Sequence, residues 1–590
     1  MPFHVVGPKR IADAGRGPGR AARSVARVDA RVGLRVVLLL MMTLGLSIPV
    51  ALADDDPVAA YLEAWRDFYP TRAFAYGDAS RAARFEDFGD RALQAWLDLN
   101  RASEEAAENL LARQPSSSAG MDLRVLLTQV RRERSLWEQD RPRETQPQWY
   151  AERVSQALTH LLVRDQLDLR ARSEALLQRL AGVAELCDLA IERLGEGNLM
   201  RSQRALKVLA STRSFFDEGL RALVRSWPGA ASGGFDGAID EAVAAIERLE
   251  AHIREQILPE ASGVVSIGAD NYAEKLLRRS AGAYSPQALL AEASAEMREV
   301  RQLMRAEAAR WGGGAHGGGA DTLLEAALEA MESDRDDSGT AFLQRFRELT
   351  FAAERFVEEH ALATIPKPTT LHIDLSPAHF SGAAVGGVYP SGPFDPQADT
   401  LFYVPSIPDS APDAAREGFY RSFNTHFNTM IISHEMFPGH YLQYKVAVSE
   451  APALRSLFPD GAYVEGWGSF VEELMLDAGW ADNAPLTRLA HLRKRLENAT
   501  RAYVSVQVHT AGWGEDQVLR FAREEGLLAP QFAQNLWQRA VHSPLQITDY
   551  MRGYKQFQRL YARRDPAVPL RDWVDAVLRA GPVPVTMLPL

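Results

Sequence analysis

Two histidines and two glutamates stand at spacings that suit a catalytic metal ion. Glu435 follows His434 directly, His440 lies six positions after His434, and Glu465 begins a Glu-Gly-Trp run further along the chain. Two imidazoles and a carboxylate are a common ligand set for catalytic zinc, which usually leaves a fourth position open for water. We predict that His434, His440 and Glu465 bind one Zn²⁺ ion. Glu435, beside a ligand but directed away from the metal, is the expected general base.

The spacing of the two histidines departs from the His-Glu-x-x-His pattern, in which an i, i+4 spacing puts both imidazoles on one helical face. Six residues of continuous helix rotate through about 600°, or about 240° net, which turns His440 away from His434. Pro438 and Gly439 resolve this conflict, because proline interrupts helical hydrogen bonds and glycine admits irregular backbone angles. We therefore expect the helix to be interrupted at Phe437 to Gly439.

Further candidate residues lie downstream of the metal motif. Glu472 stands seven positions after Glu465 on the same predicted helical face, where it can accept a hydrogen bond from a ligand histidine. A zinc hydrolase also needs a donor for the oxyanion and groups that hold the substrate. The catalytic candidates are His509 and Tyr550, and the substrate-binding candidates are Gln546, Arg552 and Tyr554.

Simpler interpretations exist for the same residues. A histidine on an apolar helical face, such as His434, is often bonded to a neighbour in a protein core, and Glu472 also suits a solvated helical face. Aromatic and arginine side chains on helices commonly pack or extend along the surface. The ligand set itself also suits manganese, iron or cobalt, so zinc is a preference based on ligand type.

The elements that must position these residues are predicted to be mostly helical. From Val58 to about Leu258 apolar residues recur at three- and four-residue spacings, and the chain after Asp413 has a similar character. Between Thr369 and Pro405 short β-prone runs predict a small sheet just before the metal motif. The predicted fold class is therefore mainly α, with a large helical body and a small β-sheet near residues 369–405, beside the metal-binding helix.

The N-terminal segment differs from the rest of the chain. An arginine-rich stretch precedes the apolar run from Val36 to Val50, and Ala51-Leu52-Ala53 resembles a signal-peptidase site. An uncleaved membrane anchor is the alternative, and the lack of a cysteine after the apolar run disfavours a lipoprotein. The predicted regions are a signal peptide (1–53), an N-terminal helical lobe (54–230) and a catalytic metallopeptidase-like region (231–590).

Composition narrows the function classes. The 590 residues are 46% hydrophobic and 24% charged, with a net charge of −11, which disfavours a nucleic-acid-binding protein. The single cysteine, Cys187, cannot form an intrachain disulfide. We expect an exported protein, periplasmic or secreted, with no stable membrane association after signal cleavage. The composition does not indicate an oligomeric state.

The segment from His434 to Gln443, read as His-Glu-x-x-Pro-Gly-His-Tyr-Leu-Gln, resembles the bacterial family DUF885, a domain of unknown function. The Glu-Gly-Trp run at Glu465 resembles it too, and the resemblance covers nearly all of the mature chain. Other positions that match the family are Glu472, His509, Trp513, Pro544, Gln546, Tyr550 and Gly553. The chain departs from the family pattern at Leu545, which replaces a glycine, and in lacking an acidic residue shortly before His509.

The resemblance implies a mostly helical relative of gluzincin peptidases. The Glu-Gly-Trp segment is similar to the helix that supplies the zinc glutamate in some aminopeptidases, which supports Glu465 by analogy. The predicted function is a zinc-dependent peptidase that hydrolyses peptide bonds, most readily those of short peptides. Two alternatives stay open: a metal-dependent hydrolase of a non-peptide amide or ester, and a non-catalytic periplasmic binding or scaffold protein with a vestigial zinc site.

Overall fold

Helices account for most of the regular structure. The computed structural model describes residues 56–113, 118–228, 234–313, 319–375 and 387–589. The predicted mainly α fold is confirmed, with a small sheet where one was expected. The predicted signal peptide (1–53) and part of the glycine-rich run near residue 315 lie outside the described residues.

The α-helices of the described residues are, in chain order, α1 Pro57–Phe68, α2 Pro70–Ala75, α3 Asp90–Arg113, α4 Ser118–Arg134, α5 Pro142–Thr145, α6 Pro147–Gln156, α7 Thr159–Val163, α8 Leu169–Arg193, α9 Leu199–Ser214, α10 Arg221–Arg225, α11 Phe235–His252, α12 Ala269–Arg279, α13 Pro286–Gly312, α14 Ala320–Ser333, α15 Gly339–Glu359, α16 Asp413–Ser422, α17 Thr425–Glu435, α18 His440–Glu450, α19 Ala453–Leu457, α20 Gly461–Asp477, α21 Pro485–Thr510, α22 Glu515–Glu524, α23 Pro530–His542, α24 Asp549–Ala562 and α25 Leu570–Arg579. The strands are β1 Leu371–Leu375, β2 Gly387–Tyr389 and β3 Thr400–Val404.

Short polar side chains fix the starts of several helices. Asp168, Asn424 and Asp460 each precede a helix and accept hydrogen bonds from backbone N–H groups of its first turn. These N–H groups have no partner within the helix, so a capping oxygen stabilises the start by about 1 kcal/mol. Asn424 and Asp460 matter most here, because they set the starts of α17 and α20, the helices that carry His434 and Glu465.

One hydrophobic core joins the N-terminal helices to the helices of the metal motif. Phe458 packs edge-on against Trp65 of α1, with ring centroids 5.5 Å apart, and Arg455 of α19 is paired with Asp122 of α4 at 2.6 Å. Helix α11, which begins at Phe235, packs on α8. The boundary expected at residue 230 therefore does not separate two cores, because residues on both sides of it bury the same apolar surface.

Helix α21 is the central support of the C-terminal half. Its 26 residues pack along α13, and α12 and α14 complete a second hydrophobic cluster around it. The last turns of α21 pack with α22 and α23 in a third cluster. Within the described residues, no helix is both long enough and apolar enough to cross a bilayer.

The small sheet has the strand order β1-β3-β2, with β1 parallel and β2 antiparallel to β3. Alternate residues of β3 are buried, as expected for a strand with one face on the core. Thr370, just before β1, donates its backbone N–H to the Tyr441 hydroxyl at 3.2 Å, and the Lys445 ammonium donates to the Thr370 hydroxyl at 3.0 Å. The sheet is therefore attached to α18, the helix that begins with His440.

Candidate metal centre

The helix that carries His434 stops before it reaches His440. Helix α17 ends at Glu435, and α18 begins at His440. Between them Met436 has φ −116° and ψ −85°, and Gly439 has φ −75° and ψ −138°. The predicted interruption at Phe437 to Gly439 is therefore present, and it allows His440 to return toward His434.

Close packing makes glycine necessary at position 439. A Cβ atom there would lie 1.9 Å from the carbonyl oxygen of His434 and 2.3 Å from that of Ser433. The indole N–H of Trp467 donates to the carbonyl oxygen of Pro438 at 2.9 Å, which ties this connection to α20. The tight connection thus depends on a missing side chain and on an anchor from the helix that supplies Glu465.

His434, His440 and Glu465 converge on one point. Oε2 of Glu465 lies 3.7 Å from Nε2 of His434 and 3.7 Å from Nε2 of His440. All three donor atoms lie within 4.8 Å of one another. The two imidazole rings are nearly perpendicular, at 79°, with centroids 4.6 Å apart.

This donor set fits a zinc ion. Tetrahedral zinc with bonds of about 2.0–2.1 Å separates neighbouring ligand atoms by about 3.4 Å, so distances of 3.7 Å need only a small contraction. Glu465 retains 21% of its side-chain exposure, whereas the His434 side chain retains 3%. The centre is therefore open on the Glu465 side, as a catalytic site with a position for water requires.

Glu472 fixes the orientation of His434. Its Oε1 lies 2.8 Å from Nδ1 of His434, and its Oε2 lies 2.8 Å from Nδ1 of His491. A carboxylate on Nδ1 leaves Nε2 of His434 free to act as a ligand, which is the tautomer that metal binding needs. His491 was not among the predicted residues, because a lone histidine on α21 carries no motif that links it to the metal.

The lack of a side chain at Gly468 allows the His434 ring to pack against α20. A Cβ atom at this position of α20 would lie 2.6–2.7 Å from three atoms of the imidazole. Such distances are far inside van der Waals contact, so the ring lies flat on the helix backbone only because the side chain is missing. The residues of the Glu-Gly-Trp-Gly run therefore contribute a candidate ligand, a hydrogen bond to Pro438 and a surface against which His434 packs.

The electrostatics of the centre favour a cation between the carboxylates. Burial lowers the pKa of His434, but Glu465 and Glu472 outweigh it and raise this pKa to about 9. Burial raises the pKa of Glu465, but His434 and His440 outweigh it and hold this pKa well below the usual range. The pKa of Glu472 is lowered to about 2 against burial, by His434 and His491. Carboxylates beside imidazoles favour positive charge at this point, which either a protonated imidazole or a divalent cation supplies.

Tyr444 lies beside the metal centre. Its ring centroid is 6.0 Å from that of His440, one helical turn earlier on α18. Burial raises its pKa, and the charges of Glu465 and Glu435 add to that rise, together with Tyr76 of the N-terminal region. The phenol therefore stays protonated and can donate. The i, i+4 spacing from His440 was the sequence signal that would have identified Tyr444.

Tyr550, a predicted catalytic residue, lies within electrostatic range of Glu465 and Tyr444. Burial raises its pKa, and the negative charge of Glu465 contributes to the rise. The guanidinium groups of Arg501 and Arg539 lie 5.1 Å and 5.6 Å from its ring centroid. Gln546, predicted to bind substrate, accepts a hydrogen bond from Arg539 at 2.9 Å. Tyr550 is thus a protonated donor near Glu465, and Gln546 helps to hold its surroundings.

The family assignment follows from the whole-chain match. The family's sequence profile matches residues 70–589. The chain belongs to the DUF885 family. This family is described as a bacterial protein of unknown function. No curated protein has detectable similarity to the chain.

Two solved structures resemble this DUF885 chain along most of its length. One is a candidate lipoprotein of unknown function from Shewanella oneidensis, with 19% sequence identity and a TM-score of 0.75, and the match covers 91% of this chain and 98% of that chain. The other is a candidate lipoprotein from Colwellia psychrerythraea, with 16% identity and a TM-score of 0.73, covering 91% and 97%. At these identities the similarity establishes the fold alone.

His509 has a different place in this DUF885 chain from the one predicted. Its Nδ1 accepts the backbone N–H of Ile267 at 3.3 Å, and its Nε2 donates to the carbonyl oxygen of Ala540 at 2.9 Å. The ring stacks on Tyr272, and burial lowers its pKa to about 4. Both ring nitrogens are engaged by backbone, so His509 has no free N–H for an oxyanion.

Two predicted substrate-binding residues are also buried in the fold. Arg552 is 1% exposed and donates to Thr548 and Asp549. Tyr554 is 2% exposed and donates its hydroxyl to Glu473 at 2.7 Å. Side chains so enclosed have no surface to offer a substrate, and both act by holding α24 to its neighbours.

Proposed function

We propose that this DUF885 protein is an exported zinc-dependent peptidase that hydrolyses peptide bonds, preferentially those of short peptides. The observation that carries the proposal is the convergence of His434, His440 and Glu465, with their donor atoms within 4.8 Å of one another and one side open. The relationship to gluzincin peptidases is part of the same proposal. It draws support from the helix-borne ligands and from Glu435, which a purely structural metal site does not need.

Each residue has a defined task in this reaction. When bound, zinc activates water for attack and polarises the scissile carbonyl. Glu435, at the end of α17 and electrostatically coupled to His434 and Tyr444, accepts the proton of the attacking water and passes it to the leaving amine. Tyr550 and Tyr444, both protonated, are the candidate hydrogen-bond donors to the developing oxyanion.

The surroundings of the centre support short substrates. Tyr444 and Glu465 keep some contact with solvent, yet dense surrounding protein raises the pKa of Tyr444 through desolvation. A side chain that is only partly exposed and otherwise surrounded by protein is typical of a recess rather than of an outer surface. A recess of this kind admits an extended peptide more readily than a folded protein.

Export is supported by two independent observations. The N-terminal 53 residues have the pattern of a signal peptide. The structurally similar proteins from Shewanella oneidensis and Colwellia psychrerythraea are candidate lipoproteins, a class of exported protein. Fractionation of cells that express the full chain tests this directly, with the mature protein expected outside the cytoplasm.

The decisive experiment combines metal analysis with a peptide digest. Purified protein is expected to hold about one zinc per chain and to cleave members of a mixed peptide pool, with activity lost on chelation. Glu435→Gln is expected to retain zinc and to lower kcat by about 10²–10⁴-fold, because general-base catalysis contributes in that range. The matched control is Glu359→Gln, an exposed glutamate at the end of α15.

Three outcomes contradict the proposal. Protein that binds no divalent metal has no catalytic centre of this kind. Unchanged hydrolysis in Glu435→Gln removes the proposed base. Cleavage of amide or ester compounds without cleavage of any peptide reassigns the centre to a non-peptide hydrolase.

A further inference from the structure

A stripe of buried polar side chains runs along one face of α21. Its members, Thr487, His491 and Arg495, stand four residues apart, so each lies only about 40° around the helix from the one before. Their exposed fractions are 2%, 1% and 5%. Polar groups so deeply enclosed are normally hydrogen-bonded, and the partners of this stripe indicate what it holds in place.

Contacts at both ends of the stripe fix the rotation of α21 against its neighbours. The Thr487 hydroxyl lies 3.0 Å from Nδ1 of His426 on α17. At the other end, Nη1 of Arg495 lies 3.7 Å from Oε1 of Glu473 on α20. His491 stands midway between these contacts, one turn from each. Its imidazole is therefore directed at the same side of α21, toward α20.

His491 completes a hydrogen-bonded chain that begins at a candidate metal ligand. The Glu472 carboxylate accepts one hydrogen bond from Nδ1–H of His434 and a second from Nδ1–H of His491, each at 2.8 Å. Both imidazoles are the donors, because an ionised carboxylate only accepts. One oxygen of Glu472 thus contacts the ligand, and the other is tied to α21.

The contact with Glu472 is the one polar contact of the His491 ring within the described residues. Its Nε2 is buried there and has no hydrogen-bond partner. His509, on the same helix, differs, because backbone groups engage both of its nitrogens. A buried nitrogen without a partner costs free energy, so packing alone does not favour a histidine at position 491. The bond to Glu472 is what this side chain contributes.

The two candidate ligand histidines are supported in different ways. Nδ1 of His440 lies 3.4 Å from Oε1 of Gln443, three residues later on α18, so its support is local. The support of His434 comes instead from α20, through Glu472. That carboxylate is held at both oxygens, and without a partner for the second oxygen it could turn about its own side-chain bonds. The His434 ring would then lose its fixed orientation.

We propose that His491 is a positioning residue for the metal ligand His434 and acts through Glu472. Its Nδ1–H holds the second carboxylate oxygen, so that the first stays aligned with the His434 imidazole and Nε2 of His434 stays directed at the metal. The inference rests on the zinc centre of the proposed function, but it does not depend on which substrate is hydrolysed.

The test measures zinc affinity by competition with a chelator. His491→Phe keeps a ring of similar size but removes the donor, and it is expected to lower zinc affinity by about 10–100-fold, the usual effect of losing such a partner. His491→Asn is expected to restore most of that affinity, because its amide nitrogen takes the place of Nδ1 and can donate to Glu472.

Thr487→Val is the matched control. It removes a buried polar contact one turn earlier on the same stripe, but it leaves Glu472 untouched. Urea unfolding with chelator present is expected to show that Thr487→Val and His491→Phe both lose stability. Only His491→Phe is expected to lose zinc affinity, which separates positioning of the ligand from a general structural role.

Wild-type zinc affinity in His491→Phe, or an equal loss of affinity in Thr487→Val, overturns the inference. His491→Gln serves as the second variant if His491→Phe does not fold. Its amide nitrogen extends beyond the place of Nδ1, so it is expected to bind zinc more weakly than His491→Asn, and equal affinities of these two variants also overturn the inference. Zinc binding by the wild type without cleavage of any peptide overturns the peptidase proposal and leaves this inference standing.

Discussion

At the scale of single residues, the convergence of His434, His440 and Glu465 was predictable from the sequence, and the residues that support them were not. These three residues stand in short motifs whose residue types are typical of zinc sites. His491 contacts Glu472, and the Tyr444 ring lies near that of His440. For His491 this contact depends on how α21 packs, which no local sequence motif encodes. His509 was assigned wrongly because a lone histidine gives no sign of whether backbone groups already occupy its nitrogens.

The Glu472 carboxylate is expected to control metal affinity. Glu472→Gln keeps the shape of the side chain but removes the charge that sets the His434 tautomer, and changes to such partners typically cost 10–100-fold in metal affinity. Competition with a zinc chelator measures the change. Asp477→Asn, an exposed change at the end of the same helix, is expected to have no effect. Equal affinities for Glu472→Gln and wild type would exclude this role.

His509 is expected to make stability sensitive to acid. Its pKa is lowered from 6.5 to about 4 in the folded chain by burial, so the unfolded chain takes up a proton first as the pH falls. Stability is therefore lost progressively between about pH 6.5 and pH 4, by about 3 kcal/mol for this residue. In urea unfolding with chelator present, His509→Gln should be less stable at pH 7 but lose less stability over that range. A variant with the wild-type pH dependence would contradict this.

At the scale of elements, the pattern of apolar residues gave the helices and the small sheet, but not how the helices cross. Helices α20 and α24 approach so closely that Gly466 and Gly553 meet backbone to backbone. Gly553 was noted only as a position that matches the family, because a helix crossing depends on residues far apart in sequence. The interruption at Phe437 to Gly439, by contrast, was predictable, since helical rotation would separate His434 from His440 and Pro438 and Gly439 can end the helix.

The crossing of α20 and α24 is expected to tolerate no side chain. In Gly553→Ala the new Cβ atom would lie 1.7 Å from the carbonyl oxygen of Ala462, so the two helices must separate. We expect a loss of about 3 kcal/mol or more in the free energy of unfolding, measured with urea. Gly237→Ala is the control, because a Cβ atom there, within α11, has no neighbour within 4 Å. That change should be neutral or stabilise slightly.

At the scale of the whole molecule, the residues around the candidate metal centre come from both ends of the chain. Tyr76, just after α2, contributes to the electrostatics of Tyr444 beside the candidate centre, whereas the three candidate ligands follow residue 430. The expected division at residue 230 did not anticipate this arrangement. A segment rich in glycine and proline indicates a loop, but it does not indicate whether the helices before and after it pack into one hydrophobic core or two. Long-range packing of this kind leaves no local signature in the sequence.

A fragment that starts at residue 231 is therefore expected not to fold. It would expose the apolar surface that Phe458 and its neighbours bury against Trp65 and Tyr61, and it would leave Arg455 without Asp122. Near-ultraviolet circular dichroism and thermal unfolding should show no cooperative transition, in contrast to the chain that starts at residue 54. Cooperative unfolding of the fragment with zinc bound would establish an independent catalytic domain.

The break between α17 and α18 has a consequence for how the metal acts on the fold. When two ligands lie one turn apart on a continuous helix, the ion connects residues whose relative positions the helix already fixes. Here the two histidines belong to separate helices, and Glu465 to a third, so a bound ion joins three elements whose relative positions are otherwise held only by packing. Binding of the proposed zinc ion would therefore be linked to tertiary stability, and the ion would act as a cross-link as well as in catalysis.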